Sequence, residues 1–244
     1  MKLGILGRNI SYSFSQSYFT DKFNKMRLTD FSYSVFDIAD KKDIISLFDI
    51  PDLKGFNVTI PYKQDIIPFL DNLSSEAEKI GAVNTVKISN GKKVGFNTDA
   101  LGFKKSLLPL LKPYHTSSLV LGSGGASKAV GFVLKSLGIE YHIISRTGEK
   151  DYNFLTQNTI SENLLIVNTT PVGTFPNLDK YPPFPIEFLT HKHLVYDLIY
   201  NPEETKLLKL AKEKGAKTKN GLEMLHLQAE AAWDIWNDRS NYYY

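Results

Sequence analysis

The sequence predicts an α/β protein of two units, the second a doubly wound parallel sheet. Three observations predict it. Short apolar runs of strand length alternate with amphipathic helical stretches, the pattern of parallel strands joined by helices. Past Pro113 the apolar run Ser118–Gly122 passes at once into a glycine-rich turn and a helix. The final helical stretch, Leu222–Trp236, carries Leu222, Leu225, Ala229, Ala232 and Trp236 on one stripe that must bury somewhere, and it is expected to return to the first unit. The units are placed at residues 1–112, completed by 221–244, and at 113–220.

In chain order, Lys2–Leu6 reads as a buried strand ended by Gly7. Ser13–Met26 reads as a helix with Phe19, Phe23 and Met26 on one face. Tyr33–Ile38 and Gly55–Thr59 are strands. Pro61–Leu70 is read as a helix, with Pro61 near its start and Pro68 shortening or kinking it. Val83–Ser89 and Lys92–Asn97 flank Asn90-Gly91, a type I′ hairpin signal. A helix is predicted from about Asp99 to Leu111, closed by Pro113. In the second unit, Ala126–Leu137 is a helix, and Ile139–Ser145, Leu164–Asn168 and Leu194–Leu198 are strands. The stretch from Lys150 to Leu164 is short, so one crossover helix is expected to be reduced or absent.

Composition bounds the function classes. The 244 residues are 42% hydrophobic and 23% charged, ordinary globular usage. No apolar run approaches the roughly 18 residues of a membrane span, and the run Leu3–Gly7 is too short for a signal-peptide core. The net charge of +3 is spread without a basic cluster, so nucleic acid is not an expected partner. There is no cysteine, which excludes disulfides, thiolate metal sites and cysteine nucleophiles. The expectation is a cytoplasmic protein with no metal and no membrane contact, monomeric or homodimeric.

The glycine-rich turn carries chemistry. Gly122-Ser123-Gly124-Gly125-Ala126-Ser127 follows a strand and opens a helix. The glycines permit a tight turn and close approach of a pyrophosphate, which the helix N-terminal N–H groups then meet, as in a Rossmann-like dinucleotide site. The bland alternative is a turn between packed elements. An NAD site usually carries Asp or Glu at the end of the next strand. This chain has Ser145-Arg146-Thr147, with Lys150 three residues on. A guanidinium can fork onto a 2′-phosphate that a carboxylate would repel, which favours NADP. Against it stands a solvated loop arginine.

In the first half, Ser13 and Ser15 alternate before a helix start, suiting a carboxylate ligand; N-capping by Ser15 is the plainer reading. Asn57-Val-Thr59-Ile-Pro-Tyr-Lys63 lies at the C-terminal end of a strand, with Asn57 and Thr59 on one side. Lys63 follows closely enough to reach the same place, although a lone lysine there is ordinarily solvated. Asn84 and Asp99 lie at the two outer ends of the hairpin, where Asp99 has a capping role as its alternative. Gln228 borders the apolar stripe of the last helix, and a buried amide there needs partners.

Together these residues resemble the shikimate dehydrogenase family. The match covers the paired serines, Asn-Val-Thr-x-Pro-x-Lys, Gly81-Ala-Val-Asn-Thr, Asn97-Thr-Asp-x-x-Gly and Gly-x-Gly-Gly-Ala. It continues through Ser-Arg-Thr, Asn168-Thr-Thr-Pro-Val-Gly, Tyr196-Asp-Leu-Ile-Tyr200 and Gly221-Leu-Glu-Met-Leu-x-x-Gln228, in order over nearly the whole chain. The resemblance implies reduction of 3-dehydroshikimate to shikimate with NADPH, on the route to chorismate and the aromatic amino acids. It implies that Ser13, Ser15 and Tyr200 hold the substrate carboxylate. Asn57, Thr59, Lys63, Asn84, Asp99 and Gln228 would hold the ring oxygens, with Lys63 and Asp99 as catalytic pair. Gly122 to Ser127, with Ser145, Arg146, Thr147 and Lys150, would bind NADP. Asn168, Thr169, Ile199, Gly221 and Met224 would line the nicotinamide side.

The chain departs from the family where Gln16 replaces a proline and Phe19-Thr20 replaces His-Asn. Those changes touch helix entry rather than the ligand positions. A quinate or dual-specificity dehydrogenase is the nearest alternative. A non-catalytic dinucleotide-binding regulator is a more distant one, for which a proton-transfer pair would serve no purpose.

Overall fold

The computed structural model describes residues 1–10 and 13–239. Residues 240–244, assigned above to the first unit, lie outside that range. By its contacts the chain divides into one unit of Met1–Thr98 with the chain from Ala229, and a second of Asp99–Gln228. The division therefore falls within helices α3 (Thr98–Leu107) and α7 (Leu222–Trp236), rather than at Pro113 and Gly221. Pro113 and Gly221 mark where the chain turns; packing changes partner partway along each helix.

The first unit holds strands β1 (Lys2–Gly7), β2 (Ser32–Asp37), β3 (Leu53–Val58), β4 (Asn72–Leu73), β5 (Thr85–Ser89) and β6 (Lys92–Phe96). They form one sheet in the order β2-β1-β3-β5-β6-β4. β1 runs parallel to both β2 and β3, and β5 then reverses the direction. The hairpin β5–β6 closes on Asn90 and Gly91, both at positive φ (50° and 72°), as its type I′ turn requires. Alternation sorts the side chains by face. Leu3 and Ile5 join Phe19 and Phe23 of helix α1 (Phe14–Lys25) and Ala229, Ala232, Trp233 and Trp236 of α7. Leu6, Phe56 and Val58 pack on the other side with Ile44, Leu47, Tyr62 and Ile66. The last helix thus returns to this unit, and the Trp236 indole donates to the Val86 carbonyl at 3.0 Å.

Several local expectations change. Pro61–Leu70 is not a helix; it is a chain of turns ending in one 3-10 turn at Ile67–Phe69. Pro68 has no N–H to continue an α-helical ladder. Met26 caps α1 and is exposed, because the helix has ended and turned away from the core. The helix opening at Thr98 stops at Leu107 and tightens to a 3-10 turn through Leu110, with Pro109 inside it. Leu222 and Leu225 are half-buried; on α7 Met224 is buried before the more continuous burial from Gln228 to Trp236. A short helix α2 (Ser75–Ile80), capped by the Ser74 hydroxyl and closed by left-handed Gly81, adds to the reading above.

The second unit holds β7 (Ser117–Leu121), β8 (Glu140–Ile144), β9 (Leu165–Asn168), β10 (Leu194–Asp197) and β11 (Lys217–Lys219), all parallel, in the order β11-β10-β9-β7-β8. Helices α4 (Gly125–Ser136), α5 (Gln157–Glu162) and α6 (Lys206–Glu213) join β7 to β8, β8 to β9 and β10 to β11, while β9 and β10 are joined by a long segment with one 3-10 turn at Ile186–Phe188. α5 is the reduced crossover, six residues long. The core of this unit gathers Leu119, Leu121, Ile144, Ile166 and Val195 with Leu207, Leu208 and Ala211. Strands buried on both faces read as continuous apolar runs, which is why they were legible. Among the described residues, no helix is long and apolar enough to cross a membrane. Nor is any group of three or more His, Cys, Asp or Glu placed to hold a metal ion.

Candidate active site

The first unit gathers its polar residues at one end of its sheet. Leu6 pairs with Val58, Asn57 with Thr85 and Thr85 with Phe96, so the ends of β1, β3 and β6 and the start of β5 coincide. Asn57, Thr59 and Asn84 are all at that end. The Thr59 N–H donates to the Leu6 carbonyl and the Tyr62 N–H to the Thr59 carbonyl, a turn that brings Lys63 back beside the strand. The Val83 N–H then donates to the Lys63 carbonyl at 2.7 Å, pinning the lysine backbone. Ser13 is the N-cap residue of α1, without a capping bond from its side chain, and Ser15 is buried in the first turn. Ser13, not Ser15, therefore takes the cap position.

A run of hydrogen bonds threads this end. The Tyr33 phenol stands next to Ser15. The phenol donates to Asn57 Oδ1 at 2.7 Å. Asn57 Nδ2 donates to Thr85 Oγ1 at 3.1 Å and to the Asn84 carbonyl at 3.3 Å. Asn84 Nδ2 donates to Thr98 Oγ1 at 2.9 Å, and the Thr98 N–H donates back to Asn84 Oδ1 at 2.7 Å. Burial pushes the Tyr33 phenol well above its usual range, and the neighbouring Ser15 hydroxyl pulls the other way. Such satisfied buried networks fix side-chain orientation.

In the second unit Asp99, next after Thr98, occupies the first turn of α3. Gly122–Ser127, Asn168 and Thr169 lie at the C-terminal end of the parallel sheet, where ligands bind at the point of strand-order reversal. Here that point lies between β7 and β9. Gly122 has φ +108°, and a Cβ there would meet Thr169 Oγ1 at 2.7 Å, so only glycine fits. Gly124 is the N-cap of α4, and a Cβ on it would enter open space. Ser127 turns back to donate to the Gly124 carbonyl at 2.6 Å. Gly221 lies so close to Leu198 that a Cβ would strike its carbonyl, and its N–H donates to the Ile199 carbonyl at 3.0 Å. Met224 and Gln228 pack on α7 against Gly102, and Gln228 Nε2 donates to the Leu225 carbonyl. Gln228 is buried rather than on a rim.

At the end of β8 the predicted residues separate. Arg146 and Thr147 are exposed. Ser145 Oγ is buried and has no hydrogen-bond partner among the described residues. Lys150 turns the other way, its ammonium 2.9 Å from His142 Nδ1 and 4.2 Å from the Phe154 ring centroid. Tyr200 is partly exposed.

Asp197, which the sequence reading quoted within a motif but gave no role, ties this end together. Asn168 Nδ2 and the Ile199 N–H both donate to its Oδ1, at 2.9 and 3.1 Å, and Thr205 Oγ1 donates to Oδ2 at 2.7 Å. Burial pushes its carboxyl up to about 6 from 3.8, despite those bonds. The sign follows from linkage. The folded pKa lies above the unfolded one, so the contribution favours the fold below pH 3.8 and is lost as pH rises through about 6. Asp197→Asn removes the charge. Its stability relative to the parent is therefore expected to improve from pH 4 to pH 8, by about 3 kcal/mol at most. Urea unfolding of both proteins across that range checks it; a difference that does not vary with pH refutes it.

Tyr33, Thr85, Thr98 and Asp197 were not identified as site residues from sequence. Only Asp197 left a signal there: a carboxylate closing an apolar strand run must be buried and partnered.

The second unit defines a nucleotide-binding class of α/β protein, and the first carries a dense polar cluster at its sheet end. Comparison with known proteins makes this specific. A family model described as the shikimate dehydrogenase substrate binding domain matches residues 5–86. A shikimate dehydrogenase (NADP(+)) of Methanococcus vannielii is 36% identical, over 96% of this chain and 90% of that protein. The crystal structure of shikimate dehydrogenase from Aquifex aeolicus is 38% identical with a TM-score of 0.88, over 99% of this chain and 94% of that one. Shikimate 5-dehydrogenase from Thermus thermophilus, in complex with NADP(H) and shikimate, is 32% identical with a TM-score of 0.85, over 98% and 94%. The chain belongs to the shikimate dehydrogenase family.

Proposed function

We propose that this chain is an NADP-dependent shikimate dehydrogenase of the cytoplasm, reducing 3-dehydroshikimate to shikimate reversibly. The observation that carries the reading is full-length similarity to such enzymes, with Asn57–Lys63 and Gly122–Ser127 each at the ligand-binding end of its own sheet. The first unit is the substrate-binding part and the second the NADP-binding part. Ser13, Ser15 and Tyr200 hold the carboxylate of the substrate. Asn57, Thr59, Asn84 and Gln228 hold its ring oxygens.

The residues present fit NADP. The open space at Gly124 leaves room for a pyrophosphate at the N–H groups that open α4. The unpartnered Ser145 hydroxyl and the exposed Arg146 guanidinium suit a 2′-phosphate. When bound, NADPH supplies the hydride that reaches the ketone carbon. Lys63 gives a proton from its ammonium to the ketone oxygen, and in reverse its neutral amine takes the proton of the hydroxyl. Asp99 orients Lys63 and the reacting oxygen. Asn168, Thr169, Ile199, Gly221 and Met224 wall the nicotinamide side, and Asp197 holds Asn168 and Ile199 in place.

Initial rates measured by NADPH absorbance, with shikimate and quinate and with NADP⁺ and NAD⁺, test the reading. Shikimate with NADP⁺ should give the highest kcat/KM. Arg146→Ala should lower kcat/KM for NADP⁺ by about 1–3 kcal/mol in transition-state terms while leaving NAD⁺ unchanged. No turnover of shikimate, or faster turnover of quinate, would overturn the assignment. Equal use of NAD⁺ by the parent protein would overturn the NADP part.

A further inference from the structure

We infer that Tyr33 and Thr85 are positioning residues for the substrate: they hold the Asn57 side-chain amide by its two ends. The inference rests on the reading of Asn57 as a substrate ligand. Neither Tyr33 nor Thr85 belongs to the ligand set identified above.

An asparagine amide can flip, exchanging its acceptor for its donors. At Asn57 both ends are committed. The Tyr33 phenol donates to Oδ1 at 2.7 Å, and Nδ2 donates to Thr85 Oγ1 at 3.1 Å and to the Asn84 carbonyl at 3.3 Å. A flip would set Oδ1 against the Asn84 carbonyl, which can only accept. The phenol ring itself is locked, stacked 4.7 Å from Phe19 and buried against Trp236. That packing makes Tyr33→Phe nearly isosteric, so its effect isolates the hydroxyl.

The experiment is steady-state kinetics with shikimate and NADP⁺ on Tyr33→Phe and Thr85→Val. Tyr33→Phe should raise the shikimate KM about tenfold, keep kcat within about threefold, and leave the NADP⁺ KM unchanged. Thr85→Val should act in the same direction, and it stands in if Tyr33→Phe fails to fold. A parent-like shikimate KM in the folded variants overturns the inference. So does a rise in both KM values together, which is what general loosening of the fold would give. If the parent protein does not oxidise shikimate at all, the functional reading falls and this inference with it. An active parent with indifferent variants removes this inference alone.

Discussion

Lys63→Ala is expected to cut kcat by roughly 10²–10⁴, the usual worth of a positioned acid or base. The structure makes the variant a clean one. The lysine backbone is fixed by the bond from the Val83 N–H to its carbonyl and by the turn from Thr59, neither of which involves the side chain. Tyr62 and Ile66 on either side are wholly buried and carry the packing of this segment. Truncation therefore removes a charge and a proton donor while the segment keeps its anchors. The KM for shikimate should change much less than kcat, and NADP⁺ binding and the circular dichroism spectrum should stay near those of the parent. Asp99→Asn should also lose rate, and the double variant should lose less than the product of the two singles, because a proton donor and the group that orients it act as a unit. Steady-state kinetics on the three purified variants decide it. A Lys63→Ala enzyme with near-normal kcat would rule out this proton path, whatever its relatives do.

Legibility in the sequence followed how locally each feature is determined. Strands β7, β9 and β10 of the second unit could be read because burial on both faces makes them unbroken apolar runs, as in Leu119–Leu121 and Leu165–Val167. The β5–β6 hairpin could be read because Asn90-Gly91 demands one turn type. α6 and β11 went unnoticed although Thr205 caps the helix and Leu207, Leu208 and Ala211 are its buried face. Lysines between those residues hide so short a period. Pro61–Leu70 misled in the opposite sense, since its apolar residues are packed without a helical ladder. At the site, residues that a local motif names were found by resemblance, while those defined by long-range contact were not. Tyr33 reaches Asn57 from a strand that is not its neighbour in the sheet, and no spacing within either segment records that bond. Lys150 is a separate case. Its position after Arg146 suggested a phosphate contact, but its ammonium is held by His142 and Phe154.

The glycine turn separates packing from ligand binding in one comparison. Gly122 and Gly124 stand two residues apart and do different things. At Gly122 the backbone is at φ +108° and a Cβ would press on Thr169 Oγ1, so Gly122→Ala should destabilise the fold by about 1–3 kcal/mol. At Gly124 the backbone is extended, open to any residue, and a Cβ meets nothing within 4 Å. Gly124→Val should therefore fold with a melting temperature close to that of the parent, apart from the small loss at a helix N-cap. If the space beside Gly124 is where the pyrophosphate of NADP lies against the start of α4, the valine side chain fills it. The KM for NADP⁺ should then rise on the order of 10²-fold, as misplacing a bound group by about an ångström can do. Calorimetric titration of NADP⁺ into both variants, with thermal unfolding alongside, reads the two effects separately. A Gly124→Val protein that binds NADP⁺ as tightly as the parent would mean that the turn serves packing alone, and the dinucleotide would have to lie elsewhere.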